Sequence, residues 1–183
     1  SLGHADGETA PLAEVIDAIR RIVRVTPLPV SADFEGGYGD TPAAVAANVR
    51  AVISAGVAGI NLEDGIRHDT LRAVGEAADR IAAARAAARE AGVPIVINAR
   101  IDAWIIGGDA SETERIDEAL RRAQAYLAAG ADCIYPIALA RPDTIAELCT
   151  AIPAPVNIGA RPGLPDLAAL AALGGPIGAL ITL

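Results

Sequence analysis

Acidic side chains in the first third of the chain have the types and spacing of a metal site. Asp33 and Glu35 follow the apolar segment 28–32, and Glu63 follows the apolar segment 58–62. Carboxylates held close together repel one another unless a cation compensates their charge. Oxygen ligands without histidine or cysteine are typical of a hard divalent cation, Mg²⁺ or alternatively Mn²⁺. The pattern therefore predicts a metal site that contains Asp33, Glu35 and Glu63.

An arginine and a glycine-rich segment accompany these carboxylates. Arg100 follows the apolar segment 94–98, and its planar guanidinium suits a carboxylate or a phosphate. A metal together with a guanidinium predicts a site for a small acid whose enolate oxygen rests on the metal. Glycines 36, 37 and 39 form either a plain flexible loop or a place where the backbone, at Gly37, approaches a bound anion. The alternative for the charged residues is a structural role, as helix caps or as partners in a salt bridge.

Few other residues could take part in chemistry. His68 could serve as an acid–base group because histidine titrates near neutrality, and the alternative is a solvated loop histidine. Cys133 and Cys149 are too few for a disulfide framework or a structural zinc site, so we interpret both as reduced core thiols. All fifteen basic residues are arginine, which excludes a Schiff-base lysine within the chain.

Short apolar segments alternate with alanine-rich helical segments along the chain. The apolar segments lack polar alternation, which is typical of strands buried on both faces; they are 28–32, 58–62, 94–98, 133–136, 155–157 and 177–181. Apolar spacing predicts helices over 11–25, 70–91, 112–129, 142–151 and 165–173. A further helix is predicted to begin at Pro42, after the capping residue Thr41, and to stop at Gly56.

This alternation predicts an α/β fold with a parallel sheet, either open and doubly wound or closed as a (β/α)8 barrel. No Gly-x-Gly-x-x-Gly motif opens a helix after the first strand, which disfavours a dinucleotide-binding domain. Six strands in 183 residues project to eight in roughly 250, the usual barrel length. We expect residues 1–183 to form one domain, an incomplete TIM barrel whose first and last strands lie outside the chain. The carboxyl ends of barrel strands converge on one face, which would bring the acidic groups and Arg100 together.

Composition excludes several classes of function. The chain is 52% hydrophobic and 21% charged, which excludes intrinsic disorder. Its net charge of −8 disfavours binding to the phosphates of a nucleic acid. No apolar run reaches about 18 residues, so no membrane span is predicted. No secretory signal is visible, and a cytoplasmic location is expected.

Four motifs in this order resemble the phosphoenolpyruvate mutase/isocitrate lyase superfamily. They are SADFEGGYG at 31–39, GINLEDG at 59–65, NARIDA at 98–103 and AGADCIYP at 129–136. The resemblance covers residues 2–157 and implies a (β/α)8 barrel that binds Mg²⁺ and an α-oxo or α-hydroxy acid. Members of the superfamily cleave or form a bond beside an enolpyruvate-like centre, mostly a C–C bond and in some cases a P–C bond.

The same resemblance implies roles for individual residues. Asp33 would contact the metal directly, and three further carboxylates would hold metal-bound waters: Asp6, Glu35 and Glu63. Arg100 would bind the substrate carboxylate, and Asn157 would line the pocket. Members usually assemble as dimers of dimers, which implies a homo-oligomer, a dimer or a tetramer.

The chain departs from the superfamily pattern after Glu63. Isocitrate-lyase-like members carry a mobile Lys-x-Cys-Gly-His loop there that supplies acid–base groups, whereas this chain has only GIRHDTL at 65–71. Glu35 also stands where many members have Asp. Three functions therefore stay open: an Mg²⁺-dependent C–C lyase that acts through an enolpyruvate-like intermediate, a P–C enzyme of the phosphonopyruvate mutase or hydrolase type, and a barrel that binds a small acid without turnover.

Overall fold

The computed structural model describes residues 3–5, 7–67 and 69–173, and the backbone alone of 177–178. The helices of this part are α1 (Leu12–Val25), α2 (Pro42–Ser54), α3 (Val74–Glu90), α4 (Ala103–Ile106), α5 (Glu112–Ala129), α6 (Pro142–Ala151) and α7 (Leu167–Ala172). The strands are β1 (Ser31–Asp33), β2 (Gly59–Glu63), β3 (Gly65–Ile66), β4 (Thr70–Leu71), β5 (Val96–Ile101), β6 (Cys133–Pro136), β7 (Val156–Asn157) and β8 (Ile177–Gly178).

Six of the described strands form one parallel sheet in the order β1-β2-β5-β6-β7-β8. Each pair of neighbours in this sheet is separated along the chain by at least one helix, as strand–helix alternation requires. The predicted α/β class and parallel sheet are therefore confirmed. That residues 1–183 form a single domain stays a prediction.

The prediction of strands buried on both faces is confirmed for β2 and for all of β5 after Val96, although the two faces differ in polarity. One face of β2 and β5 is apolar and packs in the core with residues of α2, α3 and α5. The other face carries polar side chains, which are also buried: Asn61, Glu63, Asn98 and Arg100. These polar groups tolerate burial because they bond to one another, as Asn98 Nδ2 does to Asn61 Oδ1 at 2.7 Å.

Helix boundaries follow local capping signals. Thr41 Oγ1 accepts a hydrogen bond of 3.2 Å from the Ala44 amide at the start of α2. Helix α5 begins at a capping box formed by Ser111 and Glu114, and it ends at Gly130, whose φ of 105° is left-handed. No helix formed by the described residues is both long enough and apolar enough to cross a membrane.

Helix α3 corrects two expectations from the sequence. It begins at Val74 rather than at residue 70, because Thr70 and Leu71 pair with β3 in a small antiparallel hairpin. Its buried face carries Ala77, Arg80, Ile81, Ala84, Ala87 and Ala88. The apolar spacing of segment 70–91 also predicts Ala82 on the buried face, whereas in the structure Ala82 is exposed.

Candidate active site

The predicted site residues lie at the carboxyl ends of three adjacent parallel strands. Asp33 ends β1, Glu63 ends β2, and Arg100 is the neighbour of Glu63 in the register of β2 and β5. The chain after β1 continues alongside β2, because the Glu63 amide donates to the Glu35 carbonyl at 2.8 Å. The topology therefore brings Asp33, Glu35, Glu63 and Arg100 to one end of the sheet.

Glu63 is a buried carboxyl whose ionised form is disfavoured. Burial, together with the negative charges of Asp102, Asp33 and Glu35, raises its pKa to about 8 against the opposing effect of Arg100. Glu63 Oε2 lies 2.7 Å from Arg100 Nη1. It is nevertheless buried without a directional hydrogen bond from any described residue. This carboxylate would be stabilised by additional positive charge.

Asp102 fixes the orientation of the Arg100 guanidinium. Its carboxylate accepts hydrogen bonds from Arg100 Nε at 2.7 Å and from Nη2 at 3.2 Å, which occupies the side edge of the guanidinium. Burial lowers the pKa of Arg100, but the charges of Asp102 and Glu63 outweigh that effect and raise the pKa above its ordinary value. Arg100 therefore stays a cation, and its Nη1 faces Glu63 rather than Asp102.

A second buried carboxylate, Asp64, supports this arrangement from behind. It is 1% exposed, and its Oδ1 accepts a hydrogen bond of 2.9 Å from the Asp102 amide. Its Oδ2 accepts from Tyr126 Oη at 2.7 Å and from Arg122 Nη1 at 3.0 Å. Asp64 therefore accepts hydrogen bonds from three buried residues and is not a ligand candidate at the cavity. The sequence does indicate a buried partner for such a carboxylate, because Arg122 is a charged residue among the core-facing positions of α5.

The glycine-rich segment after β1 accepts hydrogen bonds from helix α3 and packs closely against α2. Arg80, buried in α3, donates hydrogen bonds of 2.6 Å to the carbonyls of Gly36 and Gly39. Gly37 has a φ of 95°, and a Cβ atom there would lie 3.0 Å from both γ-methyl carbons of Val45. Close packing thus explains why position 37 holds glycine, and contact of Gly37 with a substrate stays a prediction. Sequence patterns alone did not single out Arg80.

The other predicted site residues differ in what the structure says of them. Asn157 ends β7 and is buried. Asp6 and His68 lie outside the described residues. Among residues 3–5, 7–67 and 69–173, no group of three or more His, Cys, Asp or Glu side chains is arranged to ligate one ion directly. The predicted roles of Asp33, Glu35 and Glu63 toward a metal therefore stay predictions.

A cavity of about 180 Å³ opens beside Glu63. Carboxylates and guanidiniums both line it, together with glycines: Glu8, Glu35, Asp40, Glu63, Arg67, Arg72, Gly7, Gly36 and Gly65. The backbone amide of Glu8 and the hydroxyl of Tyr38, the latter at 3.0 Å, both donate to the Glu35 carboxylate. The cavity is thus small and polar, and its lining carries charges of both signs.

The sequence profile described as phosphoenolpyruvate phosphomutase matches residues 1–177. The chain belongs to this family. The resemblance inferred from the four motifs is thus confirmed, and the six-stranded parallel sheet is part of a (β/α)8 barrel of this family.

Three relatives illustrate the range of the family. The 2-methylisocitrate lyase of Escherichia coli K12 is 34% identical over 164 residues, which cover 85% of this chain and 52% of the lyase. A crystal structure of a candidate phosphonomutase from Burkholderia cenocepacia J2315 is 44% identical with a TM-score of 0.88, covering 96% of this chain and 71% of that one. Oxaloacetate acetylhydrolase in complex with the product oxalate is 28% identical with a TM-score of 0.82, covering 96% and 62%. The chain spans about half the length of the E. coli lyase.

In this phosphoenolpyruvate phosphomutase family member, the segment after Glu63 forms the short hairpin of β3 and β4. The Arg72 amide, just after β4, donates to the Asp64 carbonyl at 2.9 Å and fixes the base of the hairpin beside the site. The hairpin places Arg67 and Arg72 on the wall of the cavity. Residues that sequence reasoning assigned to no role thus contribute charge to the site.

Proposed function

We propose that the protein that contains this chain is a lyase that cleaves a C–C bond of a small α-oxo or α-hydroxy carboxylic acid. This proposal rests on Arg100, whose buried guanidinium is oriented by Asp102 at the strand ends beside Glu63. A planar cation held in one orientation is suited to binding a carboxylate. The similarity to 2-methylisocitrate lyase and to oxaloacetate acetylhydrolase supports this class of substrate.

The acidic residues fit a divalent cation, Mg²⁺ or Mn²⁺. The observation is Glu63, whose buried Oε2 lacks a directional donor among the described residues and whose charge is disfavoured by burial and by the charges of Asp102, Asp33 and Glu35. Asp33 would contact the ion, and Asp6, Glu35 and Glu63 would hold its waters. When bound, the ion supplies electrostatic stabilisation to an enolate oxygen.

The residues of the chain divide the remaining tasks. Arg100 binds and orients the substrate carboxylate, and Asn157 lines the same end of the barrel. Burial of Arg100 and Glu63 keeps water from screening these charges, so each interaction is stronger than at the surface. His68 is proposed as the acid–base group that exchanges a proton with the substrate.

The test is turnover of malate-type, citrate-type and phosphonate acids by the intact protein with Mg²⁺. A C–C lyase releases an oxo acid, which coupling to lactate dehydrogenase detects. Asp33→Ala should lose more than about 100-fold of this activity, whereas Asp17→Ala on the exposed face of α1 should retain it. Equal turnover by Asp33→Ala and the parent protein would refute the metal-dependent mechanism.

A second candidate function is P–C chemistry on a phosphonopyruvate-like acid, because the candidate phosphonomutase is 44% identical to this chain. Release of phosphate, or rearrangement of phosphonopyruvate, would favour it over C–C cleavage. Binding without turnover of any of these acids would favour the non-catalytic barrel. A cytoplasmic homo-oligomer, a dimer or a tetramer, is also proposed, and analytical ultracentrifugation of the intact protein tests its mass.

A further inference from the structure

Arg72 holds a fixed position at the edge of the site. Its amide donates a hydrogen bond of 2.9 Å to the Asp64 carbonyl, and its carbonyl accepts one of 2.9 Å from Arg122 Nη2. The buried residues Asp64 and Arg122 thus bond to both backbone polar groups of Arg72. These two hydrogen bonds fix the backbone from which the Arg72 side chain extends.

The guanidinium of Arg72 is only partly satisfied. Nη1 lies 2.7 Å from Glu76 Oε1, one helical turn along α3. Nε is buried and has no hydrogen-bond acceptor in the described part of the chain, although the side chain is only 13% exposed. A buried donor without an acceptor costs free energy.

Arg72 faces the same cavity as Glu63. A Cβ atom at Gly36, on the opposite wall, would lie 3.5 Å from Arg72 Nη2, so the guanidinium reaches across toward the glycine segment. Carboxylates of this wall already have donors from the chain: Tyr38 donates to Glu35, and the Tyr38 amide donates to Glu8. The buried Nε–H group of Arg72 has no such partner among the described residues.

Asp64 bonds to the backbone of Arg72 and to that of Asp102, the partner of Arg100. Its carbonyl accepts from the Arg72 amide, and its carboxylate accepts from the amide of Asp102, whose side chain holds Arg100. Asp64 therefore contacts the backbone of Arg72 and that of the residue that orients Arg100. Arg72 lines the cavity beside Glu63, the partner of Arg100 Nη1, and two guanidiniums at one site favour a ligand with two anionic groups.

We propose that Arg72 recognises the second anionic group of a dianionic substrate, while Arg100 binds the carboxylate beside the reacting carbon. This inference rests on the proposed function for the role of Arg100. The second group is a carboxylate or a phosphonate, both of which are anions with oxygen acceptors. Arg72 is thus a specificity-determining residue that selects diacids over monoacids of equal length.

The test is calorimetric binding of succinate and butyrate to the intact protein with Mg²⁺, because these probes differ by one carboxylate at constant chain length. The parent protein should bind succinate at least about 10-fold more tightly than butyrate, and Arg72→Gln should reduce the difference to within about 2-fold. Glu76→Gln and Arg50→Gln should keep the preference, since the first retains Arg72 and the second changes an exposed arginine paired with Glu90. Arg72→Lys, which keeps the charge but not the fork, should keep part of it.

The outcomes separate this inference from the proposed function. No succinate preference in the parent, or an undiminished preference in a folded Arg72→Gln variant, would overturn the role of Arg72 even if the protein is a lyase. A preference lost in Arg72→Gln would support the role even if no acid is turned over. If a phosphonate of equal length binds more tightly than succinate, the second group of the substrate is a phosphonate.

Discussion

Replacing Arg122 with methionine should destabilise the protein strongly, because it removes the counter-charge of a buried carboxylate. Arg122 is 3% exposed, and its guanidinium donates to Asp64 at 3.0 Å, to Tyr126 at 2.9 Å, to Glu118 at 2.6 Å and to the Arg72 carbonyl at 2.9 Å. Methionine fills a similar volume but donates no hydrogen bond. Asp64 would keep the hydroxyl of Tyr126 and the amide of Asp102, but no cation.

The magnitude follows from the burial of both partners. Two unit charges 3 Å apart attract by about 5 kcal/mol at an effective dielectric constant of 20, an upper bound before desolvation is counted. Breaking a buried ion pair by removal of one partner costs about 3–5 kcal/mol, because the other charge stays buried. Since the free energy of unfolding of a domain is about 5–15 kcal/mol, Arg122→Met should remove a large fraction of the stability.

Urea denaturation of the intact protein measures the free energy of unfolding. The matched control is Arg121→Met, which changes the adjacent residue of α5; that side chain is 60% exposed and also pairs with Glu118. It should cost less than about 1 kcal/mol, as exposed pairs do. Adding Asp64→Asn to Arg122→Met should recover part of the loss by removing the stranded charge. Equal costs for the two arginine variants would refute the reasoning.

Further predictions concern packing, capping and thiol reactivity. Gly37→Ala should lower the free energy of unfolding by about 1–2 kcal/mol because of its left-handed φ and its contact with core methyl groups, whereas Gly75→Ala, with open space around it, should change it by less than about 1 kcal/mol. Ser111→Ala should cost about 1 kcal/mol in the same urea assay, and no loss would contradict the capping box at α5. Burial, aided by the charge of Asp132, raises the pKa of the Cys133 thiol to about 11. Because only the thiolate reacts, alkylation of Cys133 by iodoacetamide at pH 8 should be at least about 100-fold slower than that of free cysteine, and it should accelerate up to about pH 11. Labelling at the free-cysteine rate in the folded protein would show that the Cys133 pKa is not raised.

The sequence by itself determined the elements whose signals are local. Helix α5 runs from Glu112 to Ala129 as predicted, because Ser111 caps its start and Gly130 permits the left-handed residue at its end. The site ends of β1, β2 and β5 could be predicted because alternation of strands and helices implies a parallel sheet, in which carboxyl ends converge. Family motifs then pointed to Asp33, Glu63 and Arg100 with no knowledge of contacts.

Only the tertiary structure decided which charges are buried together. Asp64 and Arg122 are 58 positions apart in sequence, and Arg80 lies 44 positions from the Gly36 carbonyl that it binds. A local pattern assigns such residues to a cap or to a solvated helix face, because the spacing of residues along a helix does not reveal which distant group meets them. The orientation of Arg100 and the placement of Arg72 depend on these long-range contacts, since burial makes an unpaired charge so costly that the fold must supply its partner.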